Sequence, residues 1–308
     1  MRIIELAAHD ATLQIAPELG GAIASFVVGG RPMLRPTPDA ALDERDVRRT
    51  ACFPLVPYSN RIRNAKLRFA GRDFVLARNF GTHPHAIHGV GWQRPWSVAE
   101  ASREHARLVL RHEPNGDDAA AWPWSFHASQ TFHLAEVARP DGAVLIALTV
   151  TLTLGNPGAE AFPFGLGWHP YFPKRATTKL GFHADRVRQI DPTQLPVSLV
   201  DLPPGWRFAP PRALDAIALD NVFTAWDGAA TIGDPAYRTA IAIEADRACT
   251  FVVVYAPPDG GFVAVEPVTH ETDAFNRAAH GVSGTGMRIL PPGAAFSCTM
   301  RIAVAAAG

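Results

Sequence analysis

The sequence predicts an all-β protein built as a large twisted antiparallel β-sandwich, and three observations predict it. Apolar residues alternate in short segments with the two-residue period of strands. Gly, Pro and Asp punctuate those segments evenly, with 27 prolines and 25 glycines in 308 residues. Amphipathic stretches of helix length are scarce.

Taken in order, residues 11–15 and 22–28 flank Pro17-Glu-Leu-Gly-Gly21, and 66–69 and 73–76 flank Ala70-Gly71-Arg72; both read as hairpins. Residues 40–49 read as a short helix or a loop excursion. Segments 129–137 and 144–154 bracket Arg139-Pro-Asp-Gly142, and segments 239–244, 251–255 and 262–266 read as a meander around Pro257-Pro-Asp-Gly-Gly261. A last strand, 295–304, follows Pro291-Pro-Gly293. No low-complexity linker interrupts the chain, so residues 1–308 are expected to form one domain.

With 47% hydrophobic residues the chain is long enough to bury a large core, as a soluble globular protein does. Lys plus Arg and Asp plus Glu both number 29, without runs of like charge, which disfavours nucleic acid and anionic membranes and favours a small, neutral partner. No long apolar stretch suggests a signal or a membrane span. Cys52, Cys249 and Cys298 are widely spaced and odd in number, arguing against a disulfide framework or a zinc site and for the cytoplasm. No βαβ rhythm or glycine-rich phosphate loop points to a nucleotide cofactor.

Chemistry concentrates in five runs. In Gly261-Phe-Val-Ala-Val-Glu-Pro-Val268, strand alternation puts Phe262, Ala264 and Glu266 on one face and Val263 and Val265 on the other. Pro267, lacking an N–H, is expected to end the ladder and leave Glu266 at the rim, either as a cleft carboxylate or as a salt-bridged strand end. In Pro57-Tyr-Ser-Asn-Arg-Ile-Arg63, Arg61 beside Asn60 is either a clamp for substrate oxygens or a structural ion pair. Thr82-His-Pro-His-Ala-Ile-His-Gly-Val-Gly-Trp92 holds His83, His85 and His88, a spacing that also suits a cupin-like metal site, although no carboxylate follows where such a site needs one. Gly89 and Gly91 there suggest close backbone approach to a ligand, with Trp92 and Trp96 as aromatic faces for a sugar. His169, in Phe162-Pro-Phe-Gly-Leu-Gly-Trp-His-Pro-Tyr-Phe172, has the surroundings of a pocket acid or base. Asp220, in Leu219-Asp-Asn-Val-Phe, either accepts from hydroxyls or caps a turn.

In content and order these runs resemble the aldose 1-epimerase (galactose mutarotase) family. The resemblance rests on Asn-Arg-Ile at 60–62, His-Gly at 88–89, His-Pro-Tyr-Phe at 169–172, Asp-Asn-x-Phe at 220–223 and Glu-Pro at 266–267, and covers essentially the whole chain. It implies a galactose mutarotase-like supersandwich, without metal or other cofactor, that interconverts the anomers of a free aldose. It further implies Glu266 as the base for the anomeric hydroxyl, His169 as the acid for the ring oxygen and His88 as a second pocket histidine. Arg61, Asn60, Asp220, Trp92 and Tyr171 are the substrate-binding candidates. For acid–base work Glu266 is expected ionised and His169 protonated, giving a bell-shaped pH profile. Arg63 and Arg94 raise a hexose 6-phosphate alternative, and a non-catalytic sugar-binding protein of the same fold is another. His83 and His85 receive no family role, and the chain is expected to act as a monomer or a homodimer.

Overall fold

Alternation along the strands explains how this chain builds a core from so many short segments. In the computed structural model, which describes residues 1–138, 144–214, 217–237 and 239–305, Phe126, Ala128, Gln130, Phe132 and Leu134 point inward from the strand Phe126–Ala138. Leu148, Val150, Leu152 and Leu154 do the same from Val144–Gly155. These two strands pair antiparallel at the heart of a nine-stranded sheet that also contains His105–His112, Ala295–Ala305, Thr239–Ala245 and Ala229–Asp234. Its inward side chains share one apolar core with Val187, Phe223, Val252, Val254, Val263 and Val265 from a second, eight-stranded antiparallel sheet. Burying apolar faces between two such sheets is the sandwich solution expected from the sequence.

The hairpins fall where expected. Ala11–Ala16 pairs with Ala22–Val28 inside a four-stranded meander, and Lys66–Phe69 with Arg72–Val75. A short helix, Asp39–Asp43, and a 3-10 turn, Val47–Arg49, account for 40–49. The predicted turn 139–142 lies outside the described residues.

Two expectations are corrected. Thr239–Ala245 does not continue into a meander with the next two strands; it pairs with Ala229–Asp234 and Ala295–Ala305 in the nine-stranded sheet, while Phe251–Ala256 and Phe262–Val268 pair in the other. The crossing is made at Asp246, whose carboxylate accepts from the backbone N–H groups of Ala248 at 2.9 Å and Thr299 at 2.7 Å, turning the chain while anchoring it to the sheet it leaves. Pro267 does not end its strand either. Glu266 pairs with Val253, Pro267 with Val252 and Val268 with both Phe251 and Gly167. The neighbour on the other side is broken between Gly167–Trp168 and Tyr171–Pro173, and the missing N–H of Pro267 falls at that break.

Candidate active site

The face of Phe262–Val268 turned away from the inter-sheet core carries Phe262, Ala264 and Glu266, as the alternation predicts, and a cavity of about 400 Å³ opens over it. Segment 167–173 runs between this strand and residues 51–55, with His169 N–H on the Phe53 carbonyl at 3.0 Å and Tyr171 N–H on that of Ala51 at 2.9 Å. At the break between its two short strands His169 turns its ring to the carboxylate. Nε2 of His169 lies 3.1 Å from Oε1 of Glu266, and both side chains are almost wholly buried.

Asn60 and His88 hold each other. Residues 61–62 pair with 86–87, His88 N–H donates to the Asn60 carbonyl at 2.9 Å, and Asn60 N–H donates to Nδ1 of His88 at 3.0 Å. A backbone N–H can only donate, so Nδ1 carries the lone pair and the neutral ring bears its proton on Nε2. Oδ1 of Asn60 accepts from the backbone N–H and Nη1 of Arg61, at 2.9 and 3.0 Å. Arg61 also reaches Asp220 at 3.4 Å and donates to Gln194. Asp220 sits in the strand Leu219–Thr224, not at a turn, opposite Tyr255.

Aromatic rings close the walls. Tyr171 stacks on His169 with centroids 4.5 Å apart, and Phe53 packs against His169 and Trp92 at 4.8 and 5.5 Å. Trp92 lines the cavity, but its indole N–H is spent on the Gly89 carbonyl at 3.1 Å. Trp96 does not line it; its N–H goes to Gly91 in the core. The glycines serve backbone packing: a Cβ on Gly89, at φ +70°, would lie 2.3 Å from the Val56 carbonyl oxygen, and one on Gly91 2.3 Å from the Val56 side chain.

Burial works against charge on both members of the central pair. It raises the Glu266 carboxyl well above the usual range, aided by Asp220 and opposed by Arg61. It pushes His169 down to about 3, with Arg35 and Arg61 adding to the effect. Nδ1 of His169 has no partner among the described residues, so no carboxylate behind the ring supports a cation. The pair therefore favours a carboxylic acid facing a neutral imidazole over the ion pair expected from sequence. His88 is likewise lowered by burial, then by His169 and Arg61, and remains a neutral Nε2–H donor.

All eight predicted site residues line this cavity. His83 lines it too, while His85 is buried behind it with Nδ1 accepting from Asn64 N–H at 2.9 Å. Among the described residues no three His, Cys, Asp or Glu side chains converge as a metal-holding group. Arg63 pairs with Asp273 at 3.4 Å and Arg94 pairs with Asp118, both away from the cavity, so neither can hold a phosphate there. Gln194, Arg35, Arg48, Phe80 and Tyr255 line it unannounced by any local motif.

A sugar-sized hollow with a carboxyl–imidazole pair on its floor defines a candidate carbohydrate enzyme, and sequence comparison gives the family. The pattern of the aldose 1-epimerase family matches residues 2–303, and the chain belongs to that family. It is 30% identical to YphB of Escherichia coli K12, an uncharacterised protein, over 99% of each chain. A crystal structure of an E. coli K12 protein provisionally assigned as an aldose 1-epimerase superimposes with a TM-score of 0.85, at 28% identity over 98% of both chains. A Caenorhabditis elegans aldose epimerase homologue shares the fold with a TM-score of 0.79 at 17% identity over 99% of both. Family membership supports an epimerase role on carbohydrates. No helix among the described residues is long and apolar enough to cross a membrane.

Proposed function

We propose that this chain is an aldose 1-epimerase that interconverts the α and β anomers of a free aldose by acid–base ring opening, the whole chain acting as one domain. The observation that carries the reading is the buried Glu266–His169 contact of 3.1 Å on the floor of the cavity.

Ring opening removes a proton from the anomeric oxygen and adds one at the ring oxygen. The pair has two forms with the same number of protons: carboxylic acid with neutral imidazole, and carboxylate with imidazolium. From the second, Glu266 takes the anomeric proton while Nε2 of His169 gives its own to the ring oxygen. That leaves the first form and an open-chain aldehyde. Rotation about the C1–C2 bond presents the other carbonyl face, and the reverse transfers close the ring as the opposite anomer. No net proton enters or leaves. His88, as an Nε2–H donor, and Arg61, steadied by Asn60 and Asp220, hold the sugar oxygens, while Tyr171 and Trp92 shape the wall.

Each positioned proton transfer contributes about 10² to 10⁴ in rate. Polarimetry on freshly dissolved α-D-glucose and α-D-galactose is therefore expected to show acceleration above spontaneous mutarotation, reduced about 10²- to 10⁴-fold in Glu266→Gln at unchanged circular dichroism. Acceleration of neither these nor any other aldose would overturn the reaction; full activity in the variant would overturn the role of Glu266.

The pH profile follows from the same pair. Catalysis needs one transferable proton between the two groups, so it fails at low pH when His169 is protonated beside an already neutral Glu266, and at high pH when Glu266 has lost its proton. With His169 at about 3, activity per folded molecule holds through the usual imidazole range and falls only towards that value. An acid limb near 6.5, the ordinary histidine position, would show that burial does not suppress the His169 cation in the working enzyme.

A further inference from the structure

Three arginines reach the cavity, and they differ in what neutralises them. Arg61 has Asp220, and Arg48 holds Asp46 through bonds of 2.7 and 2.9 Å. Arg35 has no carboxylate within ion-pair distance among the described residues. Its Nη2 donates to the carbonyls of Arg48 and Thr50, at 2.8 and 2.7 Å, which fixes the guanidinium without cancelling its charge. Nε is buried without an acceptor. The guanidinium carbon lies 3.7 Å from the Tyr171 ring centroid and 4.7 Å from that of Phe262. Tyr171 in turn stacks on His169, so a cation without an ion-pair partner stands one ring layer from the reacting pair.

A purely structural staple accounts for Nη2, whose two carbonyls lie on one segment. It does not account for a half-buried positive charge kept in a desolvated wall without an ion-pair partner, since Asp46, whose field reaches it, is held by Arg48, and a charge out of water without a partner is costly. A planar guanidinium held at the cavity wall, with its charge not cancelled by the carbonyls that fix it, is suited to a carboxylate.

We propose that the substrate is an aldose bearing a carboxylate, a hexuronic acid whose carboxylate is held by Arg35 while its anomeric carbon faces Glu266 and His169; this rests on the epimerase reading above. One positive charge without an ion-pair partner matches a monoanion. A phosphate ester carries more charge than Arg35 alone balances, and the next cation, Arg48, is already taken by Asp46.

The test is anomer exchange measured by NMR saturation transfer on glucuronate, galacturonate, their parent aldoses and glucose 6-phosphate, with wild type, Arg35→Gln and Arg35→Lys. A uronate is expected to have the highest kcat/KM. Arg35→Gln should cost the uronate roughly ten- to a hundredfold more than it costs the parent aldose, with partial recovery in Arg35→Lys. A parent aldose or the 6-phosphate turned over faster than either uronate overturns the proposal, and so does an equal loss on charged and neutral sugars in Arg35→Gln. If no sugar exchanges, the epimerase reading fails, and calorimetry decides the carboxylate site separately. Uronate binding that is lost in Arg35→Gln supports it, and no uronate binding to wild type ends it.

Discussion

Glu266 and Glu271 lie on one short stretch of chain, 3% and 0% exposed, yet their surroundings differ in kind. Glu271 is clamped by two guanidiniums: Arg188 bonds both of its oxygens, and Arg277 donates to Oε1 at 2.9 Å. Glu266 faces an imidazole that burial keeps neutral, with Arg61 as a more distant counter-charge. The lesson is that burial of a carboxylate does not by itself mark chemistry. A fully compensated carboxylate locks the chain, here tying the strand Arg186–Ile190 to the short helix Ala274–Ala279. An under-compensated one is left with a proton it can exchange.

Substituting each glutamate by glutamine breaks this comparison most severely. Glu271→Gln leaves the buried guanidinium of Arg188 and the half-buried one of Arg277 facing a neutral amide, and breaking a buried ion pair from one side costs about 3–5 kcal/mol. Its urea midpoint should drop accordingly. Glu266→Gln removes a carboxyl that the fold disfavours as an anion, so its stability should stay within about 1 kcal/mol of wild type or rise above it, even as activity is lost. Equal destabilisation by the two would mean that Glu266 is also structural.

A smaller effect separates the same regions by pH. His270 supports the loop that carries Asn60: its Nε2 accepts from Ser59 N–H at 3.0 Å and its Nδ1 donates to the Glu271 carbonyl at 2.7 Å. Burial lowers it to about 4. Because the folded value lies below the unfolded one of about 6.5, the unfolded chain binds the proton more readily. The stability contribution is full above about 6.5 and is lost as pH falls through about 4, for a total of about 3 kcal/mol. Urea titrations from pH 8 to 4 should show that decline, with lowered His85 and His88 adding to it. A flat profile would mean that the loop does not depend on its histidine acceptors.

Much of this was legible in the sequence. Strand alternation gave the hairpins, the two long central strands and the face on which Glu266 sits with Phe262. The five motif runs converge on one cavity. What was hidden depends on side chains distant in sequence. The change of sheet after Ala245 is made by the carboxylate of Asp246 bonding across to Thr299, and no periodicity encodes it. Pro267 stays inside a strand because the neighbouring strand is broken beside it, which a rule about one strand cannot see. Arg63 and Arg94, close in sequence to the motif runs, are drawn away by Asp273 and Asp118, whereas Arg35 and Gln194 arrive from segments without a motif.

The smallest effect is expected at a second hollow on the far side of segment 60–68. At about 600 Å³ it is larger than the cavity over Glu266, and it is lined by Arg63, Lys66, Arg68, Phe74, Val75 and Asp273 among others. Its charges answer one another, Arg63 with Asp273 at 3.4 Å and Arg68 with Asp73 at 3.7 Å, and Val75 is 75% exposed. The Arg68–Asp73 pair is exposed, and such pairs contribute little. Arg68→Ala and Val75→Ser should each change stability by no more than about 0.5 kcal/mol and leave sugar turnover as in wild type. A severalfold change in turnover from either would show that the hollow is coupled to Asn60 and Arg61 through the shared segment. Without it, volume carries no function here, and what distinguishes the smaller cavity is the polar groups that packing left uncompensated within it.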